Sequence, residues 1–324
     1  MSTERCILAE GCRVELIAVD VVTWHVEIAT KIPRTNDMAV AVGNEGQSEF
    51  WSEVGGQAWV AYQDQMDRQL SVVGTAAVAA LDVKPGETIL DVGCGCGATT
   101  LELGAAVGVT GRVVGLDISV PMTQLATQRL LQAGVHHGSA RLGDAQVATV
   151  EDVGGQVDGV FSRFGVMFFA DPLVAFTNLR ALTKPDGRLA FVCWQEARKN
   201  RMFSDLGREL GELFPSSSAP DPFAPGPLAF ADPDRVRSVL DGSGWSRIEI
   251  AGHVAPMQLF GTTEFDVALE GSLRIGGAAR LLQGASADMI GKAREAAKRV
   301  LESQWTDRGA VVDSATWIVT AHNE

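Results

Sequence analysis

Tyrosine occurs once in this chain of 324 residues, at Tyr62, and histidine only five times, so candidates for side-chain acid–base work are few. No uninterrupted apolar run approaches the roughly 18 residues a spanning helix needs. Basic side chains are in deficit: 27 Lys and Arg against 40 Asp and Glu leave a net charge of −13. Such a surface repels phosphate backbones and anionic headgroups, which argues against nucleic acid or a membrane surface as partner. The five cysteines are an odd number without framework spacing, which predicts reduced thiols and a cytoplasmic setting. Charged residues Glu4, Arg5, Glu10, Arg13 and Glu15 interrupt the first twenty positions, so no secretory core segment is expected there. No internal repeat shows. What remains, 46% apolar and 21% charged, is the composition of a globular chain long enough to bury a core without staples.

Residues 1–37 carry the β-like run Val14–Val26 and then Lys31 to Asp37, with no evident pairing partner in the rest of the chain. The reading is an extension with few ties, with Met38 as the natural start. From Ser48 the pattern turns helical: Trp59, Tyr62, Met66 and Leu70 share one face, and a second stretch, Val72–Leu81, leads to the turn at Lys84–Gly86. A regular alternation comes next. Thr88–Val92, Gly111–Asp117, Ser139–Leu142, Val157–Ser162 and Leu189–Trp194 read as strands, separated by helical segments that Ser119 and Asp171-Pro172 start. Lys184-Pro-Asp-Gly187 suits a type I turn. Strands apolar along their length and alternating with helices predict a doubly wound, mostly parallel α/β sheet with its ligand crevice at the strand carboxyl ends. Beyond Trp194 the rhythm breaks. Arg201–Phe214 reads as helix, Pro215–Pro233 as loop, Asp234–Leu240 as a short helix and Arg247–Ile250 as strand. Glu264–Ile275 reads as helix with a capping box at Thr263 and Asp266, Ala287–Gln304 as an amphipathic helix and Thr316–Thr320 as the last strand.

The informative segment is Ile89-Leu-Asp-Val-Gly-Cys-Gly-Cys-Gly-Ala98. Gly93, Gly95 and Gly97 stand at a strand-to-helix turn, where a ligand can approach the backbone. By spacing, Gly93, Gly95 and Ala98 also satisfy a dinucleotide fingerprint, so the neighbours must decide. Asp91, two residues before the first glycine, disfavours a pyrophosphate and suits an ammonium group, as on the methionyl end of S-adenosylmethionine. Asp117 ends the second strand, where a carboxylate can accept both hydroxyls of a ribose. Asp144, after the third strand, is either an adenine contact or a solvated loop carboxylate.

Three acids after three consecutive strands give a plain resemblance to class I S-adenosylmethionine-dependent methyltransferases, of the small-molecule group that includes the ubiquinone and menaquinone type. It spans roughly residues 44–322 and is sharpest over Thr88–Trp194. Asp91-Val-Gly-Cys-Gly-Cys-Gly97, Gly115-Leu-Asp-Ile-Ser119 and Gly143-Asp144-Ala145 resemble the family's first three motifs. Asp158–Phe164 and Leu182–Leu189 resemble the next two. The resemblance implies a Rossmann-like methyltransferase sheet with an antiparallel last strand and a helical lid. It implies S-adenosylmethionine as cofactor, held by Asp91, Gly93, Cys94, Gly95, Gly97, Asp117, Ile118, Asp144 and Ala145. Ser162 and Arg163 would contact the methionyl group, and an N-terminal helix would present Trp59 and Tyr62 as cover. The implied layout is an extension (1–37), a helical cover (38–83), the cofactor-binding core (84–195), a lid insertion (196–245) and the last strands with lid helices (246–324).

Several residues keep two readings. Cys94 and Cys96 lack a second ligand pair, so no metal is expected. Cys193 reads as core, and His136 and His137 as loop residues. Tyr62 and His253 are the weak candidates for a catalytic role, each also readable as structural. Arg198, Lys199 and Arg201 either attract an acidic substrate or are solvated. After the fourth strand Ser162-Arg163-Phe164-Gly165 stands where the family's amino-methylating nucleic-acid enzymes carry Asn/Asp-Pro-Pro-aromatic, which leaves a small molecule as acceptor, an apolar one given Phe214, Phe223 and Phe230. The atom methylated and the oligomeric state stay open. The rivals are an NAD(P)-dependent oxidoreductase and a non-catalytic S-adenosylmethionine-binding protein.

Overall fold

The computed structural model describes residues 39–215 and 221–324. The expectation for residues 1–37 lies outside the described residues. Three helices come first: α1 (Glu45–Ser52), α2 (Val54–Ala61) and α3 (Gln63–Leu81). The expected break before Val72 does not exist. Leu70, Val73, Ala77, Val78 and Leu81 keep helical spacing on one buried face, so α3 runs unbroken to a left-handed Asp82.

The α/β alternation then proceeds through β1 (Thr88–Val92), α4 (Ala98–Val107), β2 (Arg112–Asp117), α5 (Val120–Gln132) and β3 (Gly138–Leu142). It continues with α6 (Val150–Val153), β4 (Val157–Arg163), α7 (Pro172–Leu182) and β5 (Thr183–Trp194). The expected caps form: Ser119 accepts from the Met122 amide and Asp171 from the Val174 amide. After β5 come α8 (Arg201–Leu213), α9 (Pro233–Gly242), β6 (Ser246–Gln258), α10 (Phe265–Arg274), α11 (Gly277–Leu282), α12 (Ala287–Glu302), β7 (Trp305–Thr306) and β8 (Gly309–His322).

One sheet runs β3-β2-β1-β4-β5-β8-β6, with β7 paired to β8. Strands β3 to β5 are mutually parallel, and β8 is antiparallel to both β5 and β6. The central parallel strands β1, β2 and β4 are mostly buried along their length, as their apolar runs require, whereas β3 at the sheet edge is half-buried throughout. Phe161, Phe176, Phe191 and Phe230 are fully buried, with Phe191 centred 5.6 Å from Phe176 and 6.1 Å from Phe230. Trp245 joins them and donates its indole N–H to the Phe176 carbonyl at 3.0 Å. The Arg188 fork ties the base of the sheet, bonding Glu87 and the carbonyls of Leu81 and Asp82.

Three local expectations are corrected. Lys184–Gly187 is not a type I turn: Asp186 has φ +63°, and the segment is an irregularity inside β5 held by Asn323. No capping box forms at Thr263 and Asp266, because the Thr262 hydroxyl takes the Glu264 amide instead. A capping box does form at Thr149 and Asp152. The sheet's last strands are longer than expected, since β6 extends past Ile250 to Gln258 by pairing along β8.

Candidate cofactor and acceptor cavity

At the carboxyl ends of β1, β2, β4 and β5 lies a cavity of about 380 Å³. Its wall is built by the β1–α4 turn, the ends of β2, β3 and β4, the N-terminal helices and the helices after β5. Gly93 (φ +67°), Gly95 (φ +54°) and Gly97 (φ +83°) all take left-handed conformations that L side chains resist. The turn folds back on itself. The Gly93 and Cys94 amides bond the Leu116 carbonyl at 2.8 and 3.3 Å, the Gly95 amide bonds Asp117 Oδ2 at 2.8 Å, and the Gly97 amide bonds the Cys94 carbonyl. Four amides of the turn are thus spent inside the protein.

Asp117 borders the cavity, is 7% exposed, and accepts from the amides of Gly95 and Ser119. Burial pushes its carboxyl up to about 6, against the pull of those N–H donors. Ile118, Gly143, Asp144, Ala145, Cys94 and Arg163 border the same space. Burial pushes the Cys96 thiol up to about 12 and raises Cys94 as well, which keeps both protonated at neutral pH.

Some expected residues stand elsewhere. Asp91 is fully buried but behind the wall: its Oδ2 accepts from the Thr99 and Thr100 hydroxyls at 2.8 and 2.7 Å, and Thr99 is what borders the cavity. Asp91 Oδ1 is buried without a partner. Burial raises its carboxyl to about 6, opposed by the two threonine hydroxyls and by Arg163. Ser162 is also off the wall. Its hydroxyl donates to the Val92 carbonyl at 2.7 Å and accepts from the Gly165 and Val166 amides, so it ties β1 to the loop after β4. Gly97 packs against Ala126 of α5 rather than facing the cavity. Neither weak catalytic candidate reaches the wall. Tyr62 sits in the break between α2 and α3, packed on the core, and His253 sits in β6 opposite Thr316. Trp59 does border the cavity.

The sequence reading missed a charged cluster. Asp67 of α3 accepts from Arg129 of α5 at 2.7 Å and lies 3.9 Å from Arg163. Arg129 also donates to the Cys96 carbonyl. Arg163 has no hydrogen-bond partner among the described residues, and burial lowers its pKa against the pull of Asp67 and Asp91. Only the fold brings α3, α5 and β4 to one place, so no sequence spacing announced the cluster. Beside it Phe164, in a left-handed conformation (φ +63°), stacks on Trp194 at 4.3 Å. The two ends of the wall also meet directly: Arg280 of α11 lies over the Phe50 ring of α1 and donates to Gln47 at 3.0 Å.

Asp144 is neither solvated nor free. Its Oδ2 accepts from the Ala41 amide and from Asn44 Nδ2, both at 2.9 Å, and its Oδ1 from the Gln146 amide. The carboxylate therefore latches the start of the N-terminal cover. Asp144→Ala should raise hydrogen exchange of the Ala41 amide and of α1 by about tenfold or more, with the core strands unaffected. Exchange mass spectrometry reads this, and unchanged protection would show that α2 and α3 hold the cover without the latch.

Residues 89–187 match the family described as "Methyltransferase domain". The chain is 38% identical over 110 residues to nocamycin O-methyltransferase of Saccharothrix syringae, a match covering 34% of this chain and 38% of that relative. It is 29% identical over 194 residues to demethylmenaquinone methyltransferase of Staphylococcus haemolyticus, covering 55% of this chain and 78% of the relative. In the more identical of these two, the match thus spans under two fifths of the relative's length. Phosphoethanolamine N-methyltransferase 2 of Haemonchus contortus, solved with S-adenosyl-L-methionine, superposes with a TM-score of 0.52 at 16% identity, covering 88% of this chain and 60% of that one. That likeness establishes a shared fold.

Proposed function

Because residues 89–187 carry a methyltransferase domain on a sheet of the class I type, we propose that the chain transfers a methyl group from S-adenosylmethionine to a small-molecule acceptor. One observation carries the choice of cofactor: the buried carboxylate of Asp91, its Oδ1 unpartnered, stands behind the glycine turn, with that of Asp117 beside it. A diphosphate is disfavoured by a nearby buried anion. A nucleoside bearing a cationic amino-acid tail needs acceptors, and the turn is supplied with them. The diphosphate of an NAD(P) cofactor is disfavoured there by that charge.

In this reading Asp117 accepts the ribose hydroxyls. Asn44 Oδ1, buried without a partner beside Asp144, accepts the adenine amine. Arg163 pairs with the methionyl carboxylate, while Asp91, from behind Thr99, contributes negative charge toward the ammonium. When bound, the cofactor supplies a methyl group on a sulfonium that leaves as a neutral thioether. The residues around it have to align and to exclude water, an effect worth about 7–11 kcal/mol in well-oriented systems. Among the described residues the cavity wall offers no histidine, lysine, glutamate or tyrosine, and its carboxylates already have partners (Asp67 with Arg129, Asp117 with the Gly95 and Ser119 amides, Asp144 with Ala41, Asn44 and Gln146), so the role assigned to the wall is orientation. The Phe164–Trp194 stack and Trp51, Trp59 and Met167 form an apolar surface suited to an apolar acceptor. The buried free thiols Cys94, Cys96 and Cys193 support a cytoplasmic setting, and no described helix is long and apolar enough to cross a membrane.

Calorimetry with S-adenosylhomocysteine and NADH tests the assignment. The thioether product should bind in the micromolar range and NADH should give no heat. Asp117 must be ionised to accept two hydroxyls, and its carboxyl lies near 6. Affinity should therefore climb as the pH rises from about 5 to about 7 and then level off. Stability of the free protein runs the other way. The folded-state values of Asp91 and Asp117 exceed the ordinary 3.8, so the folded state holds extra protons, and stability falls as pH rises between about 4 and about 6. Tight NADH binding with no response to the thioether would overturn the reading.

A further inference from the structure

We propose that Gln304 selects the acceptor, its side-chain carbonyl receiving a hydrogen bond from a hydroxyl or N–H group on an otherwise apolar, ring-sized molecule. The proposal rests on the methyl-transfer reading of the same cavity. Gln304 lies just beyond the end of α12, borders the cavity and is 8% exposed. Its Nε2 donates to Asp205 Oδ2 at 2.8 Å, and Arg201 holds the same carboxylate at 3.0 Å. The amide cannot turn round without setting its carbonyl against that carboxylate. Gln304 Oε1 is consequently left buried with no partner.

On that side of the cavity this oxygen is a buried acceptor with no partner among the described residues. Phe203, Leu206, Leu210, Val300 and Leu301 make that side of the cavity apolar. The Ser272 hydroxyl donates to the Leu269 carbonyl, and the Gln69 carbonyl already receives the Phe260 amide. A buried carbonyl without a donor costs free energy that a ligand donor recovers, whereas a ligand lacking one leaves the cost in place. Sites built this way reject analogues without the donor more sharply than an apolar wall can. An amide oxygen takes no proton at neutral pH, so Gln304 positions and discriminates and does not act as a base.

The test uses the full chain saturated with S-adenosylhomocysteine, titrated with 2-naphthol and with 2-fluoronaphthalene, which matches its shape but donates nothing. Binding is read from the fluorescence of Trp51, Trp59 and Trp194 on the cavity wall. The naphthol should bind about tenfold tighter than the fluoro compound. Gln304→Met should bring that ratio to about one while S-adenosylhomocysteine binding is kept, and Asp205→Asn, which frees the amide to turn, should also lower it. Loss of general fold would reduce both ligands alike, so the ratio separates recognition from structure. Equal affinities in the unaltered protein, no naphthol binding, or an unchanged ratio in a folded Gln304→Met protein overturns the proposal while the methyl-transfer reading stands. Failure of the unaltered protein to bind S-adenosylhomocysteine overturns both.

Discussion

Asp117→Ala is expected to weaken S-adenosylhomocysteine binding by about a hundredfold or more, since charge-assisted hydrogen bonds contribute about 1.5–3 kcal/mol each. The carboxylate does two things at once. It orders the turn by accepting from Gly95 and Ser119 at 2.8 and 2.9 Å, and it presents its remaining lone pairs to the cavity. Alanine removes both roles and leaves two amides without acceptors. Asp117→Asn should be nearly as damaging, because both oxygens face N–H donors and the new NH2 would meet one of them. The same substitutions relieve a buried charge whose carboxyl already sits near 6, so melting temperature should change less than affinity. Calorimetry together with thermal unfolding separates the two, and affinity kept within a factor of about three would show that the ribose is held elsewhere.

Gly165→Ala should be the second large effect. Gly165 has φ −77° and ψ −42°, a conformation open to any residue, so backbone strain plays no part. The obstacle is space. An added Cβ would lie 2.7 Å from the Val92 carbonyl, 2.9 Å from the Gly93 Cα and 3.0 Å from the Ser162 hydroxyl. Two of these are backbone atoms at or beside the glycine turn, which must move away from the loop after β4. Overpacking of this kind costs about 1–3 kcal/mol of stability, read from thermal or urea unfolding. The displaced turn should also lower S-adenosylhomocysteine affinity by about tenfold or more. Wild-type stability and affinity in the alanine protein would mean the turn tolerates a shift without consequence for the ligand.

The α/β core was legible because each of its elements is a local statement. Apolar runs such as Thr88–Val92 specify buried parallel strands, and Ser119 and Asp171 cap the helices they precede. Asp117 and Asp144 could be named from their positions at strand ends, since a doubly wound sheet brings those ends together. Asp91 shows the limit of that reasoning: its place on the strand was evident, but the hydroxyls of Thr99 and Thr100 that turn it inward were not. Beyond Trp194 the information becomes non-local. The half-exposed alternation of β6 acquires its length only from pairing with β8, some sixty residues later. Tyr62 and His253 attracted notice for their chemistry, yet packing sets both aside from the cavity, while Asp67, Arg163 and Gln304 matter through neighbours distant in the chain.

The wall of the cavity comes from separate stretches of chain. The turn at 93–96, the strand ends at 117, 144 and 163 and the loop at 164–169 make its floor, whereas residues drawn from 44–70 and from 194–304 make its roof. Only the floor falls inside the matched segment 89–187. Substitutions in the part of the roof drawn from 194–304 can therefore reshape what is accommodated without touching Asn44, Asp117 or Arg163. Under the methyl-transfer reading, such a division would let acceptor preference drift over evolutionary time, or be exchanged by grafting, while the donor site stays the same.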